Sequence, residues 1–153
     1  MKRLLLVLLA LVILTSMAYG QVNVTYKINA STVAGAGITD TTHQVQVCGS
    51  EVGPEGDDRW ENNFLTWDDS SPLAQNIAGD YWELTIEYPD SMIGWRMAYK
   101  VRYKDNEAAE FTWEDYPPGN RMFVLPDTDT TLAMADSNKK GAAHYTETDR
   151  IRV

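Results

Sequence analysis

Beyond residue 20, apolar side chains recur at every second position, not at every third or fourth. Val24, Tyr26 and Ile28 alternate with polar neighbours, as do Val45 and Val47. The clearest run is Trp82, Leu84, Ile86 and Tyr88, with Tyr81, Glu83, Thr85 and Glu87 between them. Met97, Tyr99, Val101 and Tyr103 repeat the pattern, and Met122, Val124, Leu132 and Met134 add shorter pieces. A period of two means extended chain with one buried face, because successive side chains of a strand point to opposite sides. Turn-forming clusters separate the runs at 35–42, 49–58, 68–72 and 89–91, and again at Asp105-Asn106, Pro117-Pro118-Gly119 and Pro126-Asp127. About seven strands at short spacing, without an amphipathic helix, predict an all-β fold, an antiparallel immunoglobulin-like β-sandwich.

The start of the chain has a different character. Met1-Lys2-Arg3 precede an apolar run from Leu4 to Leu14, and Ala18-Tyr19-Gly20 follow. A basic start, an apolar middle and small residues before the cut make residues 1–20 a secretory signal peptide. The apolar run falls short of the roughly 20 residues that span a bilayer. The mature chain is therefore expected to be secreted or extracytoplasmic, free of the membrane once cleaved. Of 153 residues, 133 then remain, the size of one domain. They divide into a β-sandwich module over 21–135 and a polar tail or linker over 136–153.

Charge and cysteine content narrow the chemistry. The formal net charge is −9, and becomes −11 when Lys2 and Arg3 leave with the signal. Nucleic-acid binding rests on Lys and Arg neutralising phosphates, so the acidic balance argues against such a partner. It sets no penalty against a neutral sugar. The single cysteine, Cys48, has no partner for an internal disulfide and falls on the strand face opposite Val45 and Val47, where it reads as a small filler. No two carboxylates stand out as an acid and nucleophile pair. His43 and His144 lie in no metal-ligand spacing, and neither a nucleophile elbow nor a phosphate loop occurs. Asp57-Asp58 and Asp127-Thr128-Asp129 read as turn caps in preference to calcium ligands. No catalysis, cofactor or metal is expected.

Five tryptophans are many for a chain of this length. Trp82 lies in phase with Leu84, Ile86 and Tyr88 and belongs to the core. Trp95, in phase with Met97 and Tyr99, reads as core or as a plug at a strand end. Trp60 and Trp67 fall in the longest irregular stretch, 49–79, and Trp113 closes a short strand before the turn at 114–119. Long loops in compact domains tend to carry function, and large rings held in loops mark a binding surface. An indole matches the apolar C–H face of a glucose ring, while hydroxyls at the sugar's edge need Lys, Asn or Glu groups. Two rings set at an angle fit a curved α-1,4-glucan better than a flat strip does.

Six elements recur in a familiar order: Val45-Gln46-Val47-Cys48-Gly49-Ser50, Leu65-Thr66-Trp67, Trp82-Glu83-Leu84-Thr85-Ile86 with Pro89, Tyr99-Lys100-Val101, Trp113-Glu114 and Asn120-Arg121. Together they resemble a starch-binding domain, carbohydrate-binding module family 20, over most of residues 24–134. The related glycogen-binding modules have similar sandwiches. The resemblance implies that Trp67 and Trp113 are the stacking rings of a glucan site and that Lys100 is its lysine. Glu114 and Asn120 would be the edge hydrogen-bonding groups. Trp60 is an additional candidate ring, or the loop ring in place of Trp67. The implied partner is an α-glucan polysaccharide or maltooligosaccharide, bound without catalysis by a chain expected to be a monomer. The alternation alone fits a second reading equally well, an immunoglobulin-like spacer or adhesion domain of a larger secreted protein.

Overall fold

The alternating run Val22, Val24, Tyr26 and Ile28 becomes the buried face of β1 (Gln21–Asn29), and Trp82, Ile86 and Tyr88 do the same for β5 (Tyr81–Pro89). These observations come from a computed structural model that describes residues 20–30, 43–105, 110–114 and 118–136. The expected signal peptide, Gly20 excepted, and the tail beyond Asp136 lie outside the described residues. The remaining strands are β2 (His43–Val52), β3 (Trp60–Glu61), β4 (Gln75–Ala78), β6 (Arg96–Asp105), β7 (Thr112–Trp113), β8 (Arg121–Val124), β9 (Thr130–Thr131) and β10 (Ala135–Asp136). One 3-10 turn, Asp90–Met92, is the helical piece among the described residues.

Two sheets result. The first runs β10-β1-β5-β4 with β9 also on β1, and the second runs β3-β2-β6-β7 with β8 also on β6. Antiparallel pairs form the spine of each: β1 with β5 from Gln21↔Pro89 to Asn29↔Tyr81, and β2 with β6 from His43↔Asp105 to Val52↔Arg96. Between them sits one apolar core that includes Val24, Tyr26, Ile28, Val45, Val47, Trp82, Met97, Val101 and Leu125. Each such side chain, fully buried, contributes about 1.5–3 kcal/mol. At its centre the Tyr26 and Tyr88 hydroxyls hydrogen-bond each other at 2.8 Å, and Tyr26 meets Tyr99 edge-on at 5.1 Å.

The all-β sandwich predicted from the alternation is the fold observed. Its details differ in three ways. The described strands number ten instead of seven, since two-residue strands are too short to show an alternation. β9 and β10 run parallel to β1, so the first sheet is not wholly antiparallel. In β8 the expected phase is inverted. The register Met97↔Phe123 and Tyr99↔Arg121 turns Arg121 and Phe123 inward and leaves Val124 exposed. A buried arginine reads as polar in sequence, which makes Met122 and Val124 look like the inner face.

Candidate functional site

Register decides which side chains stand on the outer face of the second sheet. Gln46↔Arg102, Cys48↔Lys100 and Ser50↔Ala98 pair across β2 and β6, and Arg102↔Trp113 pairs across β6 and β7. Val45, Val47, Met97, Tyr99 and Val101 occupy the core, so these partners share the opposite face. Lys100 therefore lies between Ala98 and Arg102 along β6, with Trp113 beside Arg102. Trp113 is 36% exposed.

The segment 62–71 folds over this face and is tied to it from both sides. Gly49 has no room for a Cβ, which would run into the Ala98 carbonyl oxygen and Leu65 Cδ1. That bare backbone lets Leu65 sink into the core as an anchor. Glu51, fully buried, accepts from the backbone N–H groups of Asn63, Phe64 and Leu65 at 2.7, 3.3 and 3.1 Å. Beyond Leu65, the Gly49 N–H donates to the Thr66 carbonyl at 3.0 Å. Asp68 Oδ1 accepts from the Ser70 N–H at 2.9 Å, the Ser70 hydroxyl at 2.6 Å and the Thr66 hydroxyl at 2.9 Å. The two Ser70 bonds, then the Thr66 hydroxyl, hold the Asp68 carboxyl below the ordinary carboxylate range. Finally, Ser71 Oγ donates to the Val47 carbonyl at 2.7 Å.

Trp67 rides on this fastened turn. Its indole Nε1 donates to Ser50 Oγ at 2.5 Å, and Ser50 Oγ donates onward to Asn62 Oδ1 at 2.6 Å. The ring stands 6.1 Å from that of Trp113, centroid to centroid, with the planes inclined by 42°. Two indoles at that spacing and tilt form a shallow angular surface. Lys100, partly exposed, lies on the same face between the Ser50 and Arg102 rows. Asn120 is one step beyond the last β6–β8 pair, Tyr99↔Arg121, which sets it next to Lys100. Four of the residues singled out from sequence thus share one patch.

The other two do not join it as expected. Glu114 is 1% exposed and turned inward. Its N–H pairs with the Val101 carbonyl, one residue on from the outward Trp113, so its side chain takes the opposite face. There Oε1 accepts from the Val101 N–H at 2.7 Å and from Arg121 Nη1. Burial pushes this carboxyl above its ordinary value against the pull of Arg121. An oxygen committed in this way offers nothing to a ligand at the surface, which corrects its expected role at the sugar's edge. Trp60, 50% exposed, sits on β3 opposite Val52. It is Trp67, not Trp60, that stands against Trp113.

Sequence reasoning missed Ser50 as the acceptor for Trp67, although the Gly49-Ser50 pair was the signal that located it. Cys48 is buried beneath the loop; burial pushes its thiol up to about 11, with Arg102 opposing, which removes it as a nucleophile at neutral pH. Asp57 Oδ1 accepts from the Arg59 N–H at 3.1 Å as a turn cap, whereas Asp129 Oδ1 accepts from the Asn23 N–H at 2.8 Å and ties its turn to the distant strand β1. Among the described residues no group of three or more His, Cys, Asp or Glu side chains is placed to hold a metal ion.

The sandwich recurs in a known enzyme. A solved structure of Hormoconis resinae glucoamylase superposes with a TM-score of 0.51 at 16% identity, covering 80% of this chain. The chain spans 18% of the length of that glucoamylase. Similarity at this identity establishes the shared fold. No protein-family model matches the sequence, and no curated protein matches it.

Proposed function

We propose that this chain is a secreted, non-catalytic module that binds starch-like α-glucan. The observation that carries the reading is the pairing of Trp67 with Trp113 on one open face. Each indole covers the apolar face of one sugar, and the inclination between them follows the bend of an α-1,4-linked chain. Lys100 and Asn120 supply donors and an acceptor for the hydroxyls at the sugar edges. The fold shared with a glucoamylase supports this ligand class. Affinity is weak, because few stacking contacts must offset the ordering of a flexible oligosaccharide.

The test is retention on immobilised amylose together with tryptophan fluorescence during titration with maltoheptaose. The protein should be retained and show a saturable emission change. Trp113→Ala should lose both while melting at the unchanged temperature. A wild-type chain that ignores both amylose and maltoheptaose would leave the spacer reading in its place. Export has its own check: N-terminal sequencing of protein recovered outside the cell should begin at Gln21.

A further inference from the structure

The two rings of the proposed glucan site come from separate parts of the chain, and one side chain touches both parts. Arg102 Nη2 donates to Asp69 Oδ1 at 2.7 Å, two residues after Trp67 in the overlying loop. Its Nε donates to Gln46 Oε1 at 2.6 Å, and Gln46 Nε2 in turn donates to the carbonyl of Ser71, where that loop ends. The guanidinium also lies over the Trp113 ring at 5.2 Å and over the Phe111 ring at 4.3 Å. Arg102 is paired in register with Trp113 on one side and Gln46 on the other.

We propose that Arg102 is the positioning residue of the glucan site, fixing the spacing and tilt of Trp67 relative to Trp113. The inference rests on the glucan reading for its consequence in binding, and on the geometry alone for the rest. Guanidinium chemistry suits the task. A planar group can present one edge to a carboxylate and an amide while its face lies against an aromatic ring. An ammonium in the same place keeps the charge but has neither the fork nor the flat face. Arg102 is under the site, with its side chain 7% exposed, and acts through the rings above it.

Asp69 gives the clean lever, since its side chain is 87% exposed and can be changed without disturbing the core. Two indoles this close couple their electronic transitions, so their mutual orientation is readable as an exciton couplet in circular dichroism. Loss of the couplet in Trp113→Ala assigns it to this pair. Asp69→Ala should shrink the couplet and weaken maltoheptaose binding by up to about fivefold, the most an exposed ion pair returns, with an unchanged melting temperature. Asp69→Asn, which keeps an acceptor oxygen, should restore most of both. Arg102→Lys, which loses the Gln46 bond and the flat face together, should shrink the couplet at least as far as Asp69→Ala does. An unaltered couplet in both Asp69→Ala and Arg102→Lys overturns the proposal, as does an affinity that falls only in step with melting temperature. The couplet is read without sugar, so a chain that binds no glucan still decides whether Arg102 positions the rings.

Discussion

Trp67 Nε1 and Ser50 Oγ are hydrogen-bonded at 2.5 Å, which ties a ring on the overlying loop to the strand beneath it. Removing the acceptor frees the indole to rotate about its own side chain. A neutral hydrogen bond of this kind contributes about 0.5–1.5 kcal/mol. Ser50→Ala is therefore expected to weaken maltoheptaose binding by roughly three- to tenfold, with little change in thermal stability. Calorimetric titration of the two proteins checks it, and equal affinities would count against the bond's role.

Acid should silence the site before it unfolds the domain. Asp68 is held below its ordinary 3.8 by Ser70 and Thr66. A depressed folded-state value means that the stabilisation of the turn is complete above 3.8 and is lost as pH falls through the lower, folded value. Sugar binding should hold level from neutral pH down to that region and then decline, while the far-ultraviolet spectrum stays native. Asp68→Ala should reproduce the acid behaviour at pH 7, as read by fluorescence titration.

Glu114, which follows Trp113 in the chain, and Arg121 form a buried ion pair, with side-chain exposures of 0% and 2%. Breaking such a pair from one side strands a charge and costs about 3–5 kcal/mol. Glu114→Gln should therefore lower stability to urea by an amount in that range. The double change Glu114→Gln with Arg121→Met should recover most of it, because the stranded cation is gone. Urea unfolding of the single and double variants separates this from simple loss of packing.

The Tyr26–Tyr88 hydroxyl pair makes a parallel case with neutral groups. Tyr26→Phe leaves the Tyr88 hydroxyl buried without its partner, a loss of about 1–3 kcal/mol, whereas the double change to Phe is expected to lie close to wild type. Burial raises both phenols well above the ordinary 10, and raises Tyr99 to about 12. For groups raised on folding, the contribution is whole below pH 10 and is lost as pH climbs towards the folded values. Alkaline unfolding and the appearance of tyrosinate absorbance should therefore coincide for these residues, as a spectroscopic pH titration would show.

The strands with three or four alternating positions, β1, β5 and β6, were legible in sequence because each buries one face. The neighbouring of Trp67 and Trp113 was expected as well, from the order of short elements that resembles a starch-binding domain. The burial of Glu114 and Arg121 was not. Both look like surface charges until the β6–β7 register turns Glu114 inward and the β6–β8 register does the same for Arg121, where each meets the other. Arg102 escaped for the same reason: an arginine alternating with Val101 and Tyr103 looks solvated, yet the loop bearing Asp69 closes over it. Long-range registry is what decides these cases, and no local pattern carries it.

The parallel pairing of β1 with β9 and β10 also bears on how the domain meets mechanical force. The backbone enters β1 at Gly20 and leaves β10 at Asp136, with Ile28↔Ala135 and Val24↔Thr130 lying side by side in the same direction. Tension between those two points runs along the strands, so the hydrogen bonds joining them are sheared together instead of being peeled one after another. The tryptophan face belongs to the other sheet. Under such a pull the sheared strands hold the fold together, and a weak contact made by that face lets go before the domain unravels.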